Sequence, residues 1–320
     1  MSRILITGFS GFVSHHFLEY LYRNKISTDV YGLDLREPSF SYSEYVKVLN
    51  IRFKVINLLN IEELRELFTE FTPDYILHLA SFSSVAYSWR HPAESFSNNT
   101  NIFLNLAATV SEFNSKCRIL SVGSSEEYGN VFASDLPLTE ESILKPVSPY
   151  AVARVSQEML SKVYVDSYHL NIILTRSFNH IGVWQDERFV ISSFINRALQ
   201  LKKADLKEGT IETGDLMIVR DFVDVRDVVR AYYLLLMKGK CGDVYNICSG
   251  KGVKLKTVID IIGELVGIKI HTRINPEYIR LNDNKEMIGS FDKIKRELGW
   301  EPQISFEQTI KEMIESMTLS

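Results

Sequence analysis

The chain is poor in cysteine, lacks a long apolar run and carries no strong excess of one charge. Each absence excludes something. The three cysteines, Cys117, Cys241 and Cys248, are odd in number, scattered and without metal-ligand spacing. That removes a disulfide framework and any expected metal centre, and it suits a reducing compartment. The apolar stretch YYLLLM at 232–237 is far too short to span a bilayer. Near the N-terminus, ILITG is followed at once by glycine and polar residues, so no secretory leader is expected. A formal net charge of −4 argues against a general nucleic-acid binder. No internal repeat or low-complexity linker interrupts the chain. The expectation is a soluble, cytoplasmic protein with neither nucleic acid nor membrane as partner.

What is present is an ordinary globular composition, 45% hydrophobic and 24% charged over 320 residues, enough for one large domain or two lobes. Short β-branched runs alternate with amphipathic stretches. RILIT (3–7), VYGLD (30–34), FKVINL (53–58), DYILHLA (74–80) and RILSVG (118–123) read as buried strands. FVSHHFLEYLYRN carries Phe17, Leu18 and Leu21 on one helical face, and IEELRELFTEF and NIFLNLAATVSEF supply further helices. Strands alternating with helices predict an α/β fold, a doubly wound parallel (Rossmann) sheet. NIILTR (171–176) and DVYNIC (243–248) extend that sheet, and a smaller C-terminal substrate-binding lobe takes the less regular remainder. The expected division is 1–179 plus about 220–248 for the dinucleotide-binding domain, and about 180–219 plus 249–320 for the substrate domain.

The first strand runs into Thr7-Gly8-Phe9-Ser10-Gly11-Phe12-Val13-Ser14 and then a helix. Glycines at such a turn let backbone N–H groups approach a pyrophosphate at the helix N-terminus. Asp34 ends the next strand, where a carboxylate can bind a ribose diol. It would meet a 2′-phosphate with like charge, so NAD(H) is favoured over NADP(H), although Arg36 lies close. Ser14 replaces the third glycine of the fingerprint and should push the helix slightly outward.

A second cluster follows: Ser124-Ser-Glu126-Glu127-Tyr-Gly129, Tyr150-x-x-x-Arg154, Asn179-His180-Ile-Gly182 and Arg220-Asp221-Phe-Val-Asp224. Tyr150 and Arg154, four apart, share one face of any helix that contains them. With the glycine loop, these motifs resemble the extended short-chain dehydrogenase/reductase superfamily. They are most similar to GDP-4-keto-6-deoxy-D-mannose reductases and GDP-mannose 4,6-dehydratases, over residues 3 to about 302.

The resemblance implies that Ser124 holds a sugar oxygen and Tyr150 acts as acid/base. The superfamily's lysine, beside the phenol and the nicotinamide ribose, is here Arg154. A fixed cation beside a phenol favours the phenolate, and an arginine keeps the charge but cannot relay a proton. Glu126 matches a glutamate that removes the C5 proton in dehydratases and is present in reductases too, so it does not choose between them. A structural role is expected for Glu127. The implied cofactor-contacting residues are Gly8, Ser10, Gly11, Phe12, Val13, Asp34, Asn57, Leu58, Leu79, Ala80, Ser81, Asn99, Tyr150 and Arg154. Those implied for the substrate are Ser83, Ser84, Ser125, Asn179, His180, Val190, Arg220 and Arg280, with the two arginines on the diphosphate.

Several positions depart from the pattern. Asn57 stands for an aspartate and Ser81 for an alanine. Ile102-Phe103 replace Gly-Thr on a helix expected to face the cofactor, and Val183-Trp184 replace Pro-Gly. The leading expectation is NAD(H)-dependent reduction of the C4 ketone of a GDP-4-keto-6-deoxyhexose. A nucleotide-sugar 4,6-dehydratase or epimerase is the enzymatic alternative, and a divergent, non-catalytic nucleotide-sugar-binding protein the alternative of another class. A homodimer through 100–114 and 150–166 is expected as well.

Overall fold

A computed structural model describes residues 1–279 and 284–319. In chain order the strands are β1 (Ser2–Thr7), β2 (Thr28–Asp34), β3 (Asn50–Val55), β4 (Tyr75–His78), β5 (Arg118–Ser124), β6 (Asn171–Ser177), β7 (Asn179–Ile181), β8 (Glu208–Thr213), β9 (Val219–Asp224), β10 (Val244–Ile247), β11 (Gly252–Lys254), β12 (Lys269–Ile274) and β13 (Glu286–Met287). The helices are α1 (Phe12–Arg23), α2 (Ile61–Glu70), α3 (Val85–Arg90), α4 (Pro92–Phe113), α5 (Pro149–Tyr168), α6 (Val190–Lys203), α7 (Val225–Lys238), α8 (Leu255–Val266), α9 (Asp292–Leu298) and α10 (Phe306–Leu319).

Seven strands form one parallel sheet in the order β10-β6-β5-β4-β1-β2-β3. The chain winds outward from β1 in both directions, so β1 and β4 flank the switch point at which such sheets bind ligands. Side-chain alternation along β1 explains why both faces are covered. Ile4 and Ile6 face the layer containing Phe17, Leu18 and Leu21 of α1 and Val228, Tyr232 and Leu235 of α7. Leu5 faces the opposite layer, with Leu64, Leu67 and Phe68 of α2 and Phe103, Leu106 and Val110 of α4. Fully burying one such side chain contributes about 1.5–3 kcal/mol. Strand β3 starts three residues earlier than the sequence reading and stops at Val55, where Ile56 and Asn57 turn toward α2.

A second sheet joins β7, β11 and β13 around β9, and β8 pairs with β12. The segment 219–224 therefore pairs in the small sheet, whereas β10, read with it, joins the large one. Helices α6, α8 and α10 pack Ile195, Ile259, Ile262 and Ile310 against Ile211 and Phe222. Among the described residues no helix is long and apolar enough to cross a membrane.

Candidate active site

At the end of β1, Gly8 takes a left-handed φ of +71°, and a Cβ there would come within 2.8 Å of the Ala80 amide nitrogen. Only glycine meets both demands. Gly11 N–H donates to Gly8 O at 3.1 Å, closing the turn onto α1. Gly11 caps α1 without a side chain, so its first-turn N–H groups have no side-chain acceptor and can turn to an anion. Asp34 binds this loop: its carboxylate accepts from Ser10 N–H (2.8 Å) and Leu35 N–H (2.7 Å), and Ser10 Oγ donates to Arg36 O (2.7 Å). Each carboxylate oxygen retains acceptor capacity for a further donor. A dinucleotide thus fits the open turn and the carboxylate beside it.

Around the loop, the Thr7 hydroxyl pairs with His78 Nδ1 at 2.8 Å and accepts from Ala80 N–H at 3.3 Å. The sequence reading missed this tie, because its partners lie 71 and 73 residues apart. Burial, then the charge of Arg154, pushes His78 down to about 3, so it is neutral. Leu79, Ala80 and Ser81 follow β4 half-buried, as do Phe12 and Val13 at the start of α1.

The departures are absorbed differently from the sequence expectation. Ile102 and Phe103 are buried in the hydrophobic core, not on a cofactor-facing surface. Asn99 uses its amide to clamp the backbone of Phe82, accepting from its N–H (2.7 Å) and donating to its carbonyl (3.2 Å). Asn57 begins a turn by accepting from Leu59 N–H at 3.0 Å, and Leu58 is buried behind it. Ser14 is fully buried and its hydroxyl has no partner, so the departure shows as an orphaned polar group. Trp184 adopts φ +67°, a conformation that disfavours any side chain by about 1–2 kcal/mol. Its indole stacks on His15 at 4.0 Å, and His15 stacks on Phe40 at 4.2 Å. His16 Nε2 reaches Val183 O at 3.0 Å, so the replaced Pro-Gly strap is tied to α1.

The chemistry-bearing groups gather where β5 meets α5. Ser148 caps α5 by accepting from Ala151 N–H at 3.1 Å, and Pro149 opens its first turn. Tyr150 and Arg154, 6% and 5% exposed, lie one turn apart on the buried face. Arg154 Nε donates to Tyr150 Oη at 3.2 Å. The Arg154 Nη1 group donates to Gln157 Oε1 at 2.6 Å and to Val122 O at 3.3 Å. At the end of β5, Ser124 Oγ accepts from Glu126 N–H at 3.2 Å, and Ser124 N–H donates to Glu127 Oε1 at 2.7 Å. Ser125 is buried in that turn and Glu126 is half-buried.

Glu127, for which a structural role is expected, closes the turn after β5 by accepting from Ser124 N–H. Its carboxyl is fully buried, and burial together with the neighbouring Glu158 raises its pKa well above the usual range. Glu158 grips Arg176 by a two-point fork, both bonds 2.9 Å, and reaches Lys162 at 2.8 Å. Glu127 Oε2 has no donor to accept from, which leaves the charged form without stabilisation and agrees with the raised pKa.

On the small sheet, His180 lies over Phe12 with centroids 5.8 Å apart, and burial pushes it down to about 4. Asn179 Nδ2 approaches Asp221 O at 3.5 Å. Arg220 Nη1 donates to the carbonyls of Asn284 and Val219, both at 2.9 Å. Asp221, not anticipated, accepts from Ser249 N–H and Oγ, Gly250 N–H and Gly289 N–H, and so organises the 249–251 turn. Ser84 is spent capping α3 through Tyr87 N–H (3.1 Å), while Ser83 is exposed and Val190 opens α6. Arg280 lies outside the described residues.

An open glycine turn at the switch point of a doubly wound sheet, with Ser124 and a Tyr150–Arg154 pair at the neighbouring strand end, defines an extended short-chain dehydrogenase/reductase. The sequence profile described as GDP-mannose 4,6 dehydratase matches residues 5–313, and the chain belongs to that family of nucleotide-sugar-modifying enzymes. It is 30% identical over 98% of its length to the GDP-6-deoxy-D-mannose reductase of Pseudomonas aeruginosa, covering 96% of that protein. Among solved structures it is similar to RMD from Pseudomonas aeruginosa complexed with NADPH (TM-score 0.83, 27% identity, all of both chains). It is also similar to a dTDP-glucose 4,6-dehydratase from Bacillus anthracis in complex with NAD (TM-score 0.86, 25% identity, 100% of this chain and 97% of that one).

Proposed function

We propose that this protein reduces the C4 ketone of a GDP-4-keto-6-deoxyhexose with NADH. The observation that carries the reading is the 3.2 Å bond from Arg154 Nε to Tyr150 Oη, which puts a fixed cation on the phenol in place of the superfamily's lysine. Gly8, Ser10, Gly11 and Asp34 would hold the dinucleotide, whose nicotinamide supplies the hydride when bound. Ser124 holds the C4 oxygen, Tyr150 protonates it as the bond to carbon reduces, and Arg154 stabilises the phenolate left behind. Arg220 and Asn179, with Arg280, would face the diphosphate. The Pseudomonas reductase, 30% identical over 98% of the chain, supports this choice.

Glu126 leaves a 4,6-dehydratase as the second reading, because it stands beside Ser124 where a C5 proton could be taken. The experiment is an absorbance assay with two substrates supplied separately. A reductase consumes NADH stoichiometrically with a 4-keto-6-deoxy nucleotide sugar. A dehydratase converts the parent sugar nucleotide with no net change in NADH, and silence with both favours a binding-only protein. Calorimetric titration with NADH and NADPH tests the cofactor. Asp34 predicts tighter NADH binding by about tenfold or more, from like charges meeting at close range. Equal affinity would hand control of the pocket to Arg36.

We read the assembly as a homodimer built on α5. Val152, Met159 and Val163 are exposed along one side of that helix. On α4 the picture differs from the sequence expectation: Ile102, Phe103, Leu106 and Val110 are spent on the core, which leaves Phe96 and Phe113 exposed. Light scattering that shows only monomer at micromolar concentration would refute the dimer.

A further inference from the structure

The geometry points to Gln157 as the positioning residue that lets an arginine work at position 154: it aims the guanidinium at Tyr150 and leaves its charge uncompensated. This rests on the reading of Tyr150 as the acid/base. Tyr150, Arg154 and Gln157 recur at i, i+4 and i+7 on the buried face of α5. Gln157 is 1% exposed, and its orientation is fixed from behind. Its Nε2 donates to Ser121 Oγ (2.9 Å) and Val122 O (3.3 Å), so its Oε1 must face Arg154 Nη1, 2.6 Å away. Ser161 Oγ approaches Ser121 Oγ as a donor at 3.2 Å and donates to Gln157 O at 2.8 Å. These bonds tie Gln157 to β5 and to the next turn of α5.

The charge balance is the second half of the argument. Among the described residues no carboxylate lies within ion-pair distance of Arg154; all its acceptors are neutral. The titratable and charged groups around it come from every packed element. They are Tyr150 and Glu158 on α5, His78 on β4, Tyr232 on α7, Glu127 in the turn after β5 and Arg176 on β6. His78 is neutral, burial and Glu158 push Glu127 toward its protonated form, and Glu158 is occupied by Arg176 and Lys162. A glutamate at 157 would reach the same Nη1 and cancel the charge, whereas glutamine holds the group and leaves the charge for the phenolate.

The test titrates the Tyr150 phenol by ultraviolet difference, each protein measured against its own Tyr150→Phe counterpart, with turnover of a 4-keto-6-deoxy nucleotide sugar measured on the same samples. Gln157→Glu is nearly isosteric and should lower the ionisation constant of Tyr150 by about tenfold or more, as an added carboxylate at this range requires. Ser121→Ala, which frees the far end of Gln157, should lower it in the same direction by less. It decides the matter if the glutamate variant does not fold. An unchanged Tyr150 titration in the folded variants overturns the role of Gln157. Absence of turnover in the wild type overturns the proposed function instead, and the titration still judges Gln157.

Discussion

Two arginines lie buried where α5 meets the sheet, and they are held in opposite ways. Arg176, 3% exposed, is matched by the carboxylate of Glu158 through two 2.9 Å bonds, donates to Glu140 O at 3.0 Å and lies 4.9 Å over the ring of Tyr128. Arg154 is nearly as buried but, among the described residues, meets a glutamine amide, a backbone carbonyl and a phenol and no carboxylate. The first charge is neutralised within the fold and stabilises structure. The second is desolvated without an ion-pair partner, which strengthens its field at the hydrogen-bonded phenol of Tyr150. Burial alone therefore does not distinguish the two cations; the partner does.

The contrast breaks most visibly at Arg176. Arg176→Met should destabilise the fold by about 3–5 kcal/mol, because it strands the Glu158 carboxylate in the interior. Lys162 still reaches Glu158 at 2.8 Å, which places the effect at the lower end. Chemical denaturation measures the loss, and turnover per folded molecule should stay nearly unchanged. A large loss of turnover in folded Arg176→Met would erase the distinction between the two arginines.

Arg154 should respond the other way. Arg154→Ala should slow turnover by about 10²-fold or more, the usual share of positioned acid–base catalysis, while destabilising less than Arg176→Met. Tyr150→Phe should cost at least as much turnover and leave sugar-nucleotide binding largely intact, and Arg154→Lys should retain or raise activity. A wild-type rate that survives Tyr150→Phe would reduce the pair to a structural contact.

The smallest effect sharpens the comparison through pH. The Glu127 pKa is raised well above the ordinary carboxylate range, first by burial and then by the charge of Glu158. Below the ordinary carboxylate range, near about 4.3, folded and unfolded chains hold the same proton and nothing is lost. As pH rises, the unfolded chain releases it first, so stability declines until the folded group ionises. Glu127→Gln can accept from Ser124 N–H and donate to Glu158 without a titrating proton. It should therefore match the wild type near pH 4 and exceed it by about 1 kcal/mol toward neutral pH, judged by denaturant midpoints. Parallel pH curves for the two proteins would mean that Glu127 carries charge in the fold.

Much of this was legible beforehand. The short β-branched runs and the glycine turn gave β1, α1 and Asp34, because strand-forming side chains and a left-handed glycine are local demands. The spacing of Tyr150 and Arg154 gave their shared face for the same reason. The short strands β7, β11 and β13, two or three residues each, were not legible, since no period can be read in so few residues. Nor were the uses of Asn99 and Ser84, whose hydroxyl or amide serves backbone groups that a motif leaves unnamed.

The sequence by itself determined the class of fold, the phosphate turn and the pairing of a phenol with a cation, because these depend on residues within one or two helical turns of each other. Only the tertiary structure decided what the cation does. Gln157 is held by Ser121, 36 residues earlier, and Glu158 by Arg176, 18 residues later. Whether a buried charge is cancelled or left exposed to its neighbour depends on which strands flank it. That is set by long-range packing, which no spacing along the chain encodes.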